Sequence, residues 1–167
     1  MLKKVILFFV LACILSGCSS PNYETVGNVD HTGQNNVLPR TIQLSLPSDA
    51  AVLTASGTDM IYTCNNYTLS LQTFPAGDLD ATVRNLSGFS AADVTLLHSQ
   101  CDDHRRADWV WVAAGEGGDV LCRAAILDDG NFHYSLCVYA AADEAAELTE
   151  LWNQLFASFC LEKEQLN

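Results

Sequence analysis

The chain has 167 residues, of which 20 are acidic and eight are lysine or arginine, so its formal net charge is −12 at pH 7. A surface this acidic repels phosphate backbones, which argues against nucleic acid as a partner. The sequence also contains no glycine-rich phosphate loop, no paired-carboxylate motif and no C-x-x-C pair. We therefore expect no cofactor, and we look first for a binding or accessory protein.

The first 17 residues have the pattern of a secretory signal. Lys3 and Lys4 precede an apolar stretch from Val5 to Leu15, which is too short to span a bilayer comfortably. Leu15-Ser16-Gly17-Cys18 is similar to the lipobox of bacterial lipoproteins, in which the cysteine carries a diacylglyceryl group and becomes the first mature residue. An ordinary secretory signal followed by a chance cysteine is the alternative. The lipobox predicts that lipid on Cys18 anchors the protein to the cell membrane, on its extracytoplasmic face.

Residues 18–37 are polar and rich in asparagine and glycine, without an apolar period. Such a segment buries too little apolar surface to fold, so it is predicted to be a flexible tether. Residues 38–167 contain no internal repeat and are long enough to form a single domain.

The domain begins with strands. Ile42, Leu44 and Leu46 alternate with polar residues before Pro47, as in a half-buried strand. Short strands follow on either side of Ser56-Gly57, and Asn65-Asn66 is a turn that leads into a strand ending near Phe74.

The first predicted helix starts at Asp78, a residue type that caps helices, and runs to about Leu86 before Gly88 closes it. Four strands then follow with short turns between them, which predicts an antiparallel meander over 94–101, 109–114, 120–127 and 132–140. The run Trp109-Val110-Trp111-Val112 is apolar at every position. A strand of this kind is expected to be covered on both faces, with the tryptophans in the core rather than forming a ligand platform.

The last predicted helix spans Asp143 to Cys160, with apolar residues at helical spacing and acidic residues in its first turns. The order of strands, helix, strands and helix predicts the α+β class. We expect a twisted antiparallel sheet of about six to seven strands flanked by helices, with the C-terminal amphipathic helix packed on the sheet.

Several segments together resemble one known family. They are the strand ending at Leu46-Pro47, the strand LSLQTFP, the helix from Asp78, the hairpin AAILDDGNFHYSLCVYA and the closing LFASFCLE. Over residues 40–162 this order is similar to that of PsbP-like (Mog/PsbP) α/β/α sandwich domains. The resemblance implies a sheet between helices and an accessory role, such as docking onto other proteins, and some members are membrane-tethered lipoproteins. It assigns no functional residue to any position here.

Five cysteines remain after Cys13 leaves with the signal and Cys18 is lipidated. Five is an odd number, so at least one thiol stays free or pairs with another chain. If Asp129-Gly130 forms the centre of a hairpin, Cys122 faces Cys137 across two neighbouring strands, close enough for a disulfide. The alternative is two small buried thiols that pack as apolar side chains.

Two groups of residues have side chains of the types used in chemistry. His98, Cys101 and His104 are metal-ligating types, but His98 and Cys101 point to opposite faces of a strand, so they converge only if the chain turns near Gln100. A solvated turn is the alternative. His133 lies on one strand face with Ser135 and Cys137, which suggests a base and nucleophile, although the sequence indicates no acid to orient the histidine.

These observations favour a membrane-anchored lipoprotein with a non-catalytic extracytoplasmic domain that docks a protein or a ligand. The alternative is a small metal- or thiol-dependent extracytoplasmic enzyme or a redox-responsive surface protein. The expected partners are the membrane, through the lipid on Cys18, and another protein.

Overall fold

The computed structural model describes residues 37–57 and 59–163. The predicted signal, Cys18 and the tether up to residue 36 lie outside them. The strands are β1 (Ile42–Gln43), β2 (Ala51–Ser56), β3 (Asp59–Thr63), β4 (Tyr67–Pro75), β5 (Leu97–Gln100), β6 (Arg105–Gly115), β7 (Gly118–Asp128), β8 (Phe132–Ala141) and β9 (Cys160–Leu161). The helices are α1 (Leu79–Ser87) and α2 (Thr149–Ser158).

Seven of the strands form one antiparallel sheet in the order β2-β3-β4-β8-β7-β6-β5, and β1 pairs with β9 in a separate small sheet. The predicted α+β class, the antiparallel meander and the number of strands are therefore confirmed. Within residues 37–57 and 59–163, no helix is long and apolar enough to cross a membrane.

The two helices pack on opposite faces of the sheet. Alternate residues of β7 show this, because Leu127 belongs to the core that contains Trp152 and Phe156 of α2, whereas Ile126 belongs to the core that contains Val83 of α1. Successive side chains of a strand point to opposite faces. The C-terminal helix thus packs on the sheet as predicted.

Helix α1 begins and ends where the sequence predicts. The Asp78 carboxylate accepts a hydrogen bond from the Asp80 N–H at 3.1 Å, and the Gly88 N–H donates to the Arg84 carbonyl at 2.8 Å. Gly88 has a φ of 79°, a conformation that glycine adopts without a steric penalty. Both signals act within a single turn of the chain, which is why they can be read from the sequence.

Helix α2 is shorter than the predicted helix from Asp143 to Cys160. Residues 142–148 form turns, and α2 begins at Thr149. At the other end Phe159 is extended, because the next two residues pair with β1. The helical period is still visible in the burial of Trp152, Leu155 and Phe156.

The β7–β8 register differs from the prediction. The Asp129 N–H donates to the Phe132 carbonyl at 3.3 Å, so Gly130 and Asn131, not Asp129 and Gly130, form the centre of the turn. The Asp129 carboxylate holds this turn by accepting hydrogen bonds from the N–H groups of Asn131 and Phe132, at 2.8 and 2.7 Å.

As a result, Cys122 pairs with Tyr139 and Cys137 pairs with Ala124. The predicted facing of Cys122 and Cys137 is wrong, and no disulfide joins them. They still share a face, but diagonal neighbours across two strands are about 7–8 Å apart, which is more than a disulfide usually spans.

Candidate functional site

Strand β6 has a neighbour along only part of one side. β5 pairs with the segment from Arg105 to Asp108, whereas β7 pairs with the whole of β6 up to Gly115. From Trp109 to Gly115, β6 therefore forms an edge of the sheet in the part of the chain that the structure describes.

The backbone groups on this edge can be assigned from the register. At the β5–β6 turn the Cys101 N–H donates to the His104 carbonyl at 2.9 Å, so His104 points its backbone groups towards β5. Residues two apart in a strand point the same way. The N–H and C=O groups of Val110, Val112 and Ala114 therefore point away from β7 and towards open space beyond β5. We call these three residues the β6 edge.

The side chains of the β6 edge are also exposed. Val110 and Val112 are 53% and 51% exposed, whereas Trp109 and Trp111 are 2% and 7% exposed on the other face. There the two indole rings stack with centroids 5.8 Å apart and pack in the same core as Val83 of α1. The expectation that β6 is covered on both faces is therefore wrong, and the tryptophans are core residues as predicted.

Helix α2 contacts β6 at Arg106, whose guanidinium donates to the Phe156 carbonyl at 3.0 Å, but it does not cover Val110 and Val112. The Arg123 guanidinium, on β7, lies 4.2 Å from the centre of the Phe156 ring and donates to the Asn153 side chain at 2.8 Å. Arg123 pairs with Val110, so in this cross-strand row the core ends on β7, one strand before Val110. Sequence reasoning missed the edge, and the only sequence signal for it is the alternation of tryptophan and valine, which does not reveal which face is bare.

The end of the β6 edge near Gly115 is acidic. Glu116 lies in the β6–β7 turn and Asp119 lies just after it on β7. The Ala142 N–H donates to the Asp119 carbonyl at 2.9 Å, which brings Asp143 and Glu144 to the same end. The sequence has no lysine or arginine from residue 107 to 122 or from 124 to 162. This end of the sheet therefore attracts cations and positively charged groups.

A groove of about 340 Å³ lies between the N-terminal segment and strands β3 and β4. Its lining is mostly apolar and includes Ile42, Leu44, Met60 and Leu71. Arg40 lies at its rim and is already paired, since its guanidinium donates to the Glu162 carbonyl at 2.6 Å and lies 2.7 Å from the Asp103 carboxylate. The groove can hold a small apolar group.

His133 is buried between α1 and the sheet. Its Nδ1 is 2.8 Å from the Thr82 hydroxyl, and its Nε2 is 3.8 Å from the Asp128 carboxylate. Burial lowers the pKa of His133, an effect that Asp128 partly opposes, so the ring is neutral at pH 7 and can accept a hydrogen bond from Thr82.

Asp128 is the acid that the sequence did not indicate, but 3.8 Å is too long for an orienting hydrogen bond. The predicted partner Ser135 instead donates to the Gln72 carbonyl at 3.3 Å. Because His133 is 1% exposed, this group of residues is best suited to holding α1 against the sheet.

The structure does not bring the predicted metal ligands together. His98 is exposed on β5 opposite Ala107, whereas Cys101 and His104 pair with each other at the β5–β6 turn. The His104 Nδ1 lies 2.7 Å from the Asp103 carboxylate, and this contact, followed by Arg40, lowers the pKa of Asp103. No group of three metal-ligating side chains occurs among residues 37–57 and 59–163.

The described residues include five cysteines, none of which forms a disulfide there, namely Cys64, Cys101, Cys122, Cys137 and Cys160. Burial raises the pKa of Cys137 to about 12, so its reactive thiolate is scarce at neutral pH. Cys160 is exposed. Cys18, the predicted lipid attachment residue, lies outside the described part of the chain.

No family model matches this chain, and no curated protein matches it either. Solved structures do. CyanoP, the cyanobacterial PsbP from Synechocystis sp. PCC 6803, is 10% identical with a TM-score of 0.55, over 78% of this chain and 98% of that one. The chain has a PsbP-like fold.

LpqN from Mycobacterium tuberculosis, described as involved in cell envelope biogenesis, is 16% identical with a TM-score of 0.50, over 75% of this chain and 85% of that one. The Ran-binding protein Mog1p from Saccharomyces cerevisiae is 10% identical with a TM-score of 0.49, over 72% and 89%. At these identities the likeness concerns the fold alone.

Proposed function

We propose that this chain is a lipid-anchored lipoprotein whose folded domain lies on the extracytoplasmic side of the cell membrane and docks a protein partner there, without catalysis. The lipobox at Cys18 supports the anchor. The observation that supports docking is the β6 edge, where half-exposed valines occur together with backbone groups that have no strand partner among residues 37–57 and 59–163. A fold shared with an envelope protein, LpqN, is consistent with this role.

The two edges of the sheet differ in a way that supports docking at β6. The edge strand β2 has a register shift between Val52 and Thr54, an irregularity that hinders pairing with another strand. The β6 edge has an unbroken register with β7 and no charged side chain from Trp109 to Gly115. Soluble proteins usually protect an edge of this kind, so leaving it bare favours an interaction surface.

The anchor is tested by membrane fractionation of Cys18→Ala against the wild type. The expected result is that the wild type sediments with membranes, whereas the variant is released and its domain remains folded by circular dichroism. A Cys18→Ala variant that stays with the membranes would contradict the lipid anchor.

Docking is tested in living cells with a photo-crosslinking amino acid at position 110, and with the same group at Arg84 as the control, since Arg84 is exposed on α1. The expected result is one partner crosslinked from position 110 and not from 84. The partner, once identified and purified, should bind the purified protein. Equal crosslinking from both positions would refute docking at the β6 edge.

A further inference from the structure

We infer that the partner docks by adding an antiparallel strand to β6, and that this strand carries apolar side chains at alternate positions and lysine or arginine at its N-terminal end. This inference rests on the proposed function, and it names the chemistry of the partner for the same site.

The exposed backbone of the β6 edge matches the backbone of an extended peptide. Val110 and Val112 each present one N–H and one C=O in the plane of the sheet, at the two-residue spacing of a strand. An extended peptide is the ligand whose own backbone groups repeat at this spacing, and strand addition is a recurrent mode of peptide recognition. An antiparallel partner strand begins near Gly115 and must end before Leu97, where β5 begins.

The side chains of the β6 edge favour apolar residues in the partner strand. On the α2 face, Leu97 of the neighbouring strand is 68% exposed and lies diagonal to Val110, and the exposed Val112 follows two residues further along β6. A strand added at β6 places alternate side chains next to these three residues. Valine-like side chains at those positions remove apolar surface from water, whereas the intervening positions are free to be polar.

The charge around the β6 edge favours a basic N-terminal end in the partner strand. Glu116, Asp119, Asp143 and Glu144 lie at the C-terminal end of the β6 edge, so the N-terminus of an antiparallel strand meets an acidic surface there. A second copy of this chain fits poorly, because it has the same net charge of −12 and offers no lysine or arginine from Trp109 to Asp119. A basic strand from another protein fits this surface.

The test uses the full-length chain, purified in detergent, and the acetylated peptide Lys-Lys-Val-Thr-Val-Thr-Val amide. Binding is followed by fluorescence anisotropy of the labelled peptide and by protection of the Val110 and Val112 amides from hydrogen exchange. We expect binding with protection of both amides. Replacing the two lysines of the peptide with glutamate should raise its Kd at least about tenfold, which corresponds to about 1.4 kcal/mol of binding free energy.

The matched variant is Val112→Pro. The N–H of Val112 points outward, so proline there removes an edge donor and leaves the ladder to β7 intact, as at other edge positions that tolerate proline. We expect this variant to bind the peptide about tenfold more weakly. A second measurement leaves the protein unchanged: N-methylation of one alternate set of peptide amides should abolish binding, and methylation of the other set should not.

Strand addition is overturned if the peptide does not bind, if both N-methylated peptides bind alike, or if Val112→Pro binds as the wild type does. A wild-type dimer that Val112→Pro dissociates would also overturn it in favour of a second copy. If a cellular partner crosslinks at position 110 and binds Val112→Pro as well as it binds the wild type, the proposed function stands and this inference fails. If the peptide binds as expected but no cellular partner crosslinks, the proposed function fails and the edge chemistry stands.

Discussion

Two valines in one cross-strand row provide a direct test of how far the core extends. Val110 on β6 pairs with Arg123, and Arg123 pairs with Val138 on β8, so both valines lie on the face that α2 packs against. Val138 is 0% exposed, whereas Val110 is 53% exposed. The same substitution at both positions therefore compares a covered site with an uncovered one, within one sheet.

Valine to threonine is the appropriate change because it keeps the side-chain volume and the preference for strands, and replaces one methyl group with a hydroxyl. At Val138 the hydroxyl is buried among apolar side chains, so Val138→Thr should lower the free energy of unfolding by about 1–3 kcal/mol. At Val110 the hydroxyl reaches water, so Val110→Thr should change the free energy of unfolding by less than about 0.5 kcal/mol.

The measurement is urea unfolding of the purified protein at 25 °C, with the free energy obtained by linear extrapolation. Each protein is measured at two concentrations, because a dimer would make the midpoint depend on concentration. If Val110→Thr costs as much as Val138→Thr, the face of β6 is covered in solution, and the description of the β6 edge is wrong.

Three further results are expected. Asp129→Ala should lower the free energy of unfolding, measured by urea unfolding, by about 2–4 kcal/mol. The reason is that it removes two hydrogen bonds to the turn and leaves the Tyr134 hydroxyl without its acceptor. A change below about 0.5 kcal/mol would contradict the role of Asp129 in the turn. Folding lowers the pKa of His133, so the unfolded chain binds more protons and stability should fall as the pH drops below about 6.5, its ordinary pKa. Thermal melts from pH 7.5 to 5 should show this loss and a weaker loss in His133→Gln, and identical pH dependence in both proteins would refute it. In thiol labelling with a disulfide reagent at pH 8, the exposed Cys160 should react in the native protein and Cys137 only after unfolding; native labelling of Cys137, located by mass spectrometry, would show that its core opens.

The exposure of the β6 edge depends on two features that no local sequence pattern encodes. One is the reach of α2, which contacts Arg106 but leaves Val110 uncovered, and the other is the point at which β5 begins, at Leu97 opposite Asp108. From the sequence, Trp109 to Val112 is apolar throughout, a pattern equally consistent with a strand covered on both faces. Only the assembled sheet shows that the tryptophans are buried and the valines are exposed.

The β7–β8 hairpin, with the sequence DDGN at residues 128–131, shows a second limit of prediction from the sequence. Two turn centres are compatible with this sequence, and they differ by one residue. The structure selects the later centre, because the Asp129 carboxylate can then accept hydrogen bonds from two backbone N–H groups and from the Tyr134 hydroxyl. The pairing of Cys122 and Cys137 was predicted from the earlier centre and failed with it.

The sequence by itself determined the features that depend on short stretches of chain. These are the α+β class and the meander, which follow from hydrophobic period and turn residues, and the limits of α1, which Asp78 and Gly88 set through hydrogen bonds within one helical turn. The predicted lipobox at Cys18 is a local motif of the same kind. Tertiary structure alone decided where α2 ends, which residues face each other across β7 and β8, and which face of β6 is bare, because each depends on contacts between segments far apart in the chain.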